Sequence, residues 1–270
     1  MEQKKYDIDI VNEAYQFLLK DKRVTEEILE KHLNEPNSIA SNMDDVFFRL
    51  IVSLQNANMK ANVIGNAITG GMEELRTQII PSLFMMEQYP DYTMLLDALF
   101  TKLKIKSSKT LNEHKTNEKS LWNKYAKSIV SAYQFLKQFS DYKDFKNWVD
   151  FFDQDIRARA ALPMILSNEI YGLGFALACD FLKEIGYTNF GKPDVLIKDI
   201  FMALQLSNST SDYFVLKDIS RIAENTGKTS YYIDKLFWLI GSGKFYYDAL
   251  EIGNQKQKFI NYIEEKKRKN

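Results

Sequence analysis

Apolar residues recur at helical spacing along almost the whole chain. Tyr15, Leu18 and Leu19 mark one apolar helix face, Phe48, Ile51 and Val52 a second, and Ile129, Tyr133 and Leu136 a third. No run alternates in the manner of a half-buried strand, and only five prolines interrupt the pattern. The pattern predicts an all-α protein. Its helices fall over residues 9–19, 25–33, 44–54, 60–67, 72–86, 91–103, 122–139 and 145–152, then 157–167, 175–185, 196–206, 213–225, 230–240 and 245–267. Asn34-Glu35-Pro36-Asn37 ends the second helix and Gly70-Gly71 follows the fourth. Residues 106–119 are polar, contain Ser107-Ser108 and lack an apolar repeat, so they read as a surface loop.

Two short segments carry the chemistry. Tyr171-Gly172-Leu173-Gly174 lies between two helical runs, where paired glycines let the backbone turn sharply while Leu173 plugs the turn. Such a turn points successive backbone N–H groups outward, where a DNA phosphate can accept them. Downstream, Pro193-Asp194-Val195-Leu196-Ile197-Lys198 opens a further helix, with Asp194 at the N-cap position that its side chain favours. A phosphate grip and one poised carboxylate point to chemistry on a nucleotide.

In these residues the chain resembles the helix-hairpin-helix DNA glycosylases related to endonuclease III and to 3-methyladenine glycosylase II. Their hairpin reads apolar-Pro-Gly-apolar-Gly with a small residue beyond it. Here Tyr171 stands where the proline usually is, Gly172, Leu173 and Gly174 match, and Ala178 is the small residue. The family's aspartate follows the hairpin by roughly twenty residues and precedes an apolar helix, as Asp194 does. Residues 194–198 look like the corresponding segment of the alkyl-purine glycosylases. Far upstream, residues 46–58, with Ser53-Leu54-Gln55, resemble the early barrel helix and Ser-x-Gln turn of endonuclease III relatives. The resemblance spans about residues 44–240.

The resemblance implies a two-lobed helical fold. Residues 44–185 would form a helical barrel ending in the hairpin, and residues 1–40 with 190–270 a second lobe carrying the catalytic Asp194. The extracted base would sit in the interlobe cleft, with Asp194 at its edge. Gly172, Leu173, Gly174 and Ala176 would lie on the DNA, and Gln55 would reach into the duplex beside the extracted base. Bifunctional members carry a Schiff-base lysine two positions after the second glycine. This chain has Ala176 there, eighteen residues before Asp194, which implies a monofunctional enzyme. Tyr171, Phe175, Trp122, Tyr125, Phe152 and Trp238 are the aromatic candidates for a base-stacking pocket. The partner implied is double-stranded DNA with a damaged or modified base, bound by a monomer.

Composition narrows the chemistry. Cys179 is the single cysteine, so neither an intramolecular disulfide nor the four-cysteine iron–sulfur cluster of many endonuclease III relatives is available. It falls within an apolar helix, where buried packing is its expected role. His32 and His114, the only histidines, lie far apart in sequence, which argues against a zinc site or a histidine-based triad. No metal or cofactor is expected. The net charge is zero, but Lys102, Lys104, Lys106, Lys109, Lys115 and Lys119 crowd one segment and Lys266-Lys267-Arg268-Lys269 forms another basic run. No apolar stretch is long enough for a bilayer and no signal peptide precedes Met1-Glu2-Gln3-Lys4-Lys5. The expectation is a cytoplasmic, nucleoid-associated protein without a membrane partner.

Two other classes compete. Residues 218–238 read superficially as a helix-turn-helix, which would make the chain a non-enzymatic helical DNA-binding protein using that segment or the hairpin. The third class is a helical protein-interaction module in which the glycines merely turn a corner. DNA discriminates them: the module binds none, the regulator prefers a sequence, and the glycosylase prefers a lesion.

Overall fold

The computed structural model describes residues 2–34, 39–57 and 62–269. The chain begins with α1 (Glu2–Leu18) and α2 (Glu26–Leu33), the second opened by Thr25, whose hydroxyl accepts the Ile28 N–H. Next come α3 (Met43–Leu54), α4 (Val63–Ala67), α5 (Gly71–Gln78) and α6 (Tyr92–Lys102). Asn42 and Asp91 cap α3 and α6 with side-chain oxygens. Then follow α7 (Leu111–Thr116), α8 (Leu121–Leu136), α9 (Tyr142–Gln154), α10 (Ile156–Arg159), α11 (Ala161–Glu169) and α12 (Phe175–Glu184). The last stretch holds α13 (Val195–Ala203), α14 (Asp212–Thr226) and α15 (Ser230–Ser242). A short antiparallel hairpin, β1 (Lys244–Phe245) and β2 (Leu250–Glu251), then leads to α16 (Lys256–Lys269). Among the described residues, the fold is all-α apart from that hairpin and an isolated bridge between Ile68 and Ile105.

Four sequence expectations need correction. The helix expected over 72–86 stops at Gln78, because Pro81 disfavours helical backbone just before it; a 3-10 turn follows at Phe84–Gln88. The helix expected over 157–167 is two helices joined at Ala160. The loop expected over 106–119 contains α7, nucleated by a capping box in which Thr110 and Glu113 each satisfy the other's backbone N–H. The helix expected from 245 begins only at Lys256. Gly243 ends α15 at φ +67°, and a Cβ there would lie 1.9 Å from the Gly253 carbonyl oxygen, so the chain turns back as a hairpin on a glycine nothing else replaces. The expected stop at 35–37, the fourth helix's start at 60 and the Asn58 end of the Ser-x-Gln segment lie outside the described residues.

The chain divides into two compact units, residues 38–185 and residues 1–37 with 186–270. In the 38–185 unit α3 packs on α8 and α12, α6 on α8, and α11 on α12. Its core takes Phe47, Leu50 and Ile51 from α3, Leu96 and Leu99 from α6, Ile129 from α8 and Phe181 from α12, all buried. In the other unit α15 is the hub, packing against α1, α2, α13, α14 and α16. Ile233, Leu236, Phe237 and Ile240 of α15 meet Phe201, Ile219 and Phe259 in its core. Cys179 is buried within α12, as its apolar surroundings suggest. Among the described residues no helix is long and apolar enough to cross a membrane.

Candidate functional site

The Tyr171–Gly174 segment joins α11 to α12 as a tight turn. Gly172 has φ +83°, and a Cβ on it would meet the Ser128 hydroxyl of α8 at 2.4 Å. Leu173 is buried beneath the turn and its N–H donates to the Ile170 carbonyl at 3.1 Å. The Tyr171 N–H donates to Ser131 Oγ at 2.9 Å, so two serines of α8 seat the turn. Gly172 and Gly174 are exposed and Tyr171 keeps 49% of its surface. Gly174 is the N-cap of α12 and offers no side chain to its first N–H groups. Among the described residues, nothing accepts a hydrogen bond from the N–H groups of Gly174, Phe175 or Ala176. An open helix N-terminus of this kind attracts anions. Ala176, half-buried in the first turn of α12, brings no amine to it.

Asp194 is the N-cap of α13, in extended backbone, and its Oδ1 accepts the Ile197 N–H at 3.0 Å. The loop before it is clamped to its own unit. Phe190 is fully buried, the Tyr231 N–H donates to the Thr188 carbonyl at 2.8 Å, and the Lys192 N–H donates to Asp234 Oδ2 at 3.1 Å. Gly191 is required for space: a Cβ there would sit 2.7 Å from Ile219 and 2.9 Å from the Ser230 carbonyl oxygen. Burial raises the Asp194 pKa above the ordinary aspartate range, the Ile197 N–H pulls it back, and the Asp234 charge raises it further. Desolvation thus outweighs the cap at this carboxyl. Asp234 and Gly191 were missed from sequence. Asp234 lies three residues after Tyr231 and three before Phe237, on the buried face of α15, which helical spacing makes visible.

Gln55 does not project as the resemblance implies. It is 2% exposed, and its Oε1 accepts the Gly65 N–H at 3.1 Å, tying the end of α3 to α4. The aromatic candidates are scattered. Trp122 and Tyr125 are buried on α8, where the Tyr125 hydroxyl donates to the Ile51 carbonyl at 3.0 Å and Trp122 meets Phe100 edge-on. Phe152 meets Trp148 and Phe151 edge-on on α9. Trp238 packs on the core of the other unit, edge-on to Tyr246. Tyr171 and half-buried Phe175 flank the glycine turn. A cavity of about 420 Å³ in the 38–185 unit is lined by none of them; Phe48, Arg49, Arg76, Asp180 and Glu184 are among its walls, with the Arg76 guanidinium over the Phe48 ring at 4.7 Å.

Of the helix-turn-helix reading's second helix, only half-buried Tyr232, Lys235, Trp238 and Ser242 lie outside the core. That helix is α15, whose Tyr231, Ile233, Leu236 and Phe237 are buried and cannot meet base edges. Arg221 of α14 is ion-paired with the buried carboxylate of Asp7. Compared with protein-family models, curated proteins and solved structures, the chain matches none.

Proposed function

We propose that this chain is a monofunctional DNA glycosylase acting on a damaged or modified base extracted from duplex DNA. The observation that carries the reading is Asp194, a half-buried carboxylate fixed at a helix N-cap by a clamped loop and kept less acidic than usual by its surroundings. The glycine turn supports it as a sequence-independent grip on the phosphate backbone.

The mechanism follows from the charge that develops. The base leaves the duplex at a cost of a few kcal/mol, less where pairing is already weak. As the bond from the sugar C1′ to the base nitrogen breaks, its electron pair goes to the base and the sugar gains oxocarbenium character. Ionised Asp194 stabilises that cation and takes a proton from the water that adds to C1′. The proton then passes to the departing base where that base leaves as an anion, and to solvent where a cationic alkylated base leaves neutral, and either route restores the carboxylate. A cationic alkylated purine is already a good leaving group and is the substrate class that best fits a site built around one carboxylate.

With Ala176 in place of an amine, the product is free base and an intact abasic strand, cut only after alkali is added. A panel of duplexes carrying alkylated purines, uracil, mismatched thymine and oxidised purines tests the reading. Release of one class of base, with no borohydride-trapped protein–DNA adduct, is expected. A trapped adduct at Lys192 or Lys198 would overturn the monofunctional assignment, and release of no base from any duplex would overturn the activity.

A further inference from the structure

We infer that the lysine-rich segment following α6 is a second, sequence-independent contact for the phosphate backbone of nucleic acid. Residues 101–119 hold six lysines against two glutamates, in a chain with 36 basic and 36 acidic residues overall. Glu118 pairs with Lys127 at 3.6 Å, and Glu113, which closes the α7 capping box, keeps its charge and attracts Lys109. Lys115 pairs with Asp97 at 2.5 Å. That leaves Lys102, Lys104, Lys106, Lys109 and Lys119 exposed, with no ion pair to any of them among the described residues.

These cations stand on a fixed backbone. The Thr69 N–H donates to the Lys104 carbonyl at 3.0 Å and the Lys106 N–H to the Ala67 carbonyl at 2.8 Å, so Ile105 pairs with Ile68 as an isolated bridge. Half-buried Ile105 faces inward, which turns Lys104 and Lys106 to the same outer side. Ser107 then accepts the Lys109 N–H at 3.1 Å and meets His114 Nε2 at 2.8 Å, while His114 Nδ1 meets Ser120 Oγ at 2.6 Å. His114 is buried, and Asn123 donates to its carbonyl at 3.1 Å. Six lysines against two glutamates leave an excess of like charge that repels itself, and a polyanion relieves that repulsion. A net-neutral protein gains from such a patch the local field that its overall charge does not supply.

The choice of nucleic acid over an acidic protein rests on the glycosylase reading, and the test separates the two. Affinity for an undamaged duplex is measured against salt for the full chain, for the Lys104→Gln/Lys106→Gln variant, and for that variant with Lys102→Gln and Lys109→Gln added. Circular dichroism checks the fold of each, and binding of poly-glutamate is measured alongside. The slope of log affinity against log salt is expected to flatten by about 0.9 for each lysine that meets a phosphate. A parent that binds duplex with a slope the variants share would overturn this inference and leave the glycosylase reading intact. Lysine-dependent binding of poly-glutamate without lysine-dependent binding of DNA would overturn the nucleic-acid assignment. Lysine-dependent DNA binding without base release would uphold the patch while removing the enzyme. No duplex binding at the lowest salt would remove both.

Discussion

Asp194 shows two local effects in opposition. As an N-cap it accepts the Ile197 N–H, which favours the charged form, yet burial and then Asp234 favour the neutral one and prevail. The folded chain therefore holds this proton more tightly than the unfolded chain does. The protonated form contributes stability that is lost as pH rises through the raised pKa. In the proposed reaction the ionised form does the work, so base release should rise with pH through a limb above the ordinary aspartate range. Asp234→Asn keeps an oxygen for the Lys192 N–H but removes the repelling charge. Its acid limb is expected to move to lower pH in single-turnover profiles, and a limb left in place would show that Asp234 does not tune Asp194. Sequence placed the N-cap correctly but not its acidity, because acidity depends on residues forty positions away on another helix.

The turn before α12 separates a conformational glycine from an open one. Gly172→Ala should cost about 1–3 kcal/mol in urea unfolding, since a left-handed backbone angle and the Ser128 hydroxyl both oppose a Cβ. Gly174 has ordinary extended backbone and nothing within 4 Å of an added Cβ. Gly174→Asp should leave stability unchanged or raise it by a few tenths of a kcal/mol through capping. It should nonetheless weaken binding to damaged and undamaged duplex alike, by placing a negative charge where a phosphate would sit. Undiminished binding by the folded Gly174→Asp protein would reduce the turn to a corner. The glycines were legible because turn chemistry is local. Gln55 was misread because its partner, the Gly65 N–H, is fixed by how α3 meets α4 rather than by the Ser-x-Gln pattern.

At the scale of the molecule, helical spacing was enough to identify an all-α chain, and it faltered where backbone geometry rather than hydrophobicity decides. The Gly243–Gly253 approach and the Thr110 capping box are such places. A buried polar cluster was equally invisible: Asp7 is fully buried and accepts from Gln3, Arg221 and Asn225, joining α1 to α14. Asp7→Ala should cost about 3 kcal/mol, the low end for a broken buried pair because Arg221 keeps partial access to water. A loss below about 1 kcal/mol in urea unfolding would show that the cluster does not organise its unit. The central claim, that Asp194 drives hydrolysis of a base–sugar bond, is tested most directly by single-turnover base release from a lesion duplex. Asp194→Asn keeps the cap and nearly the shape, so it should fold and bind the duplex as the parent does. It is expected to release base at least about 100-fold more slowly. Near-parental release by the folded Asp194→Asn protein would contradict the account.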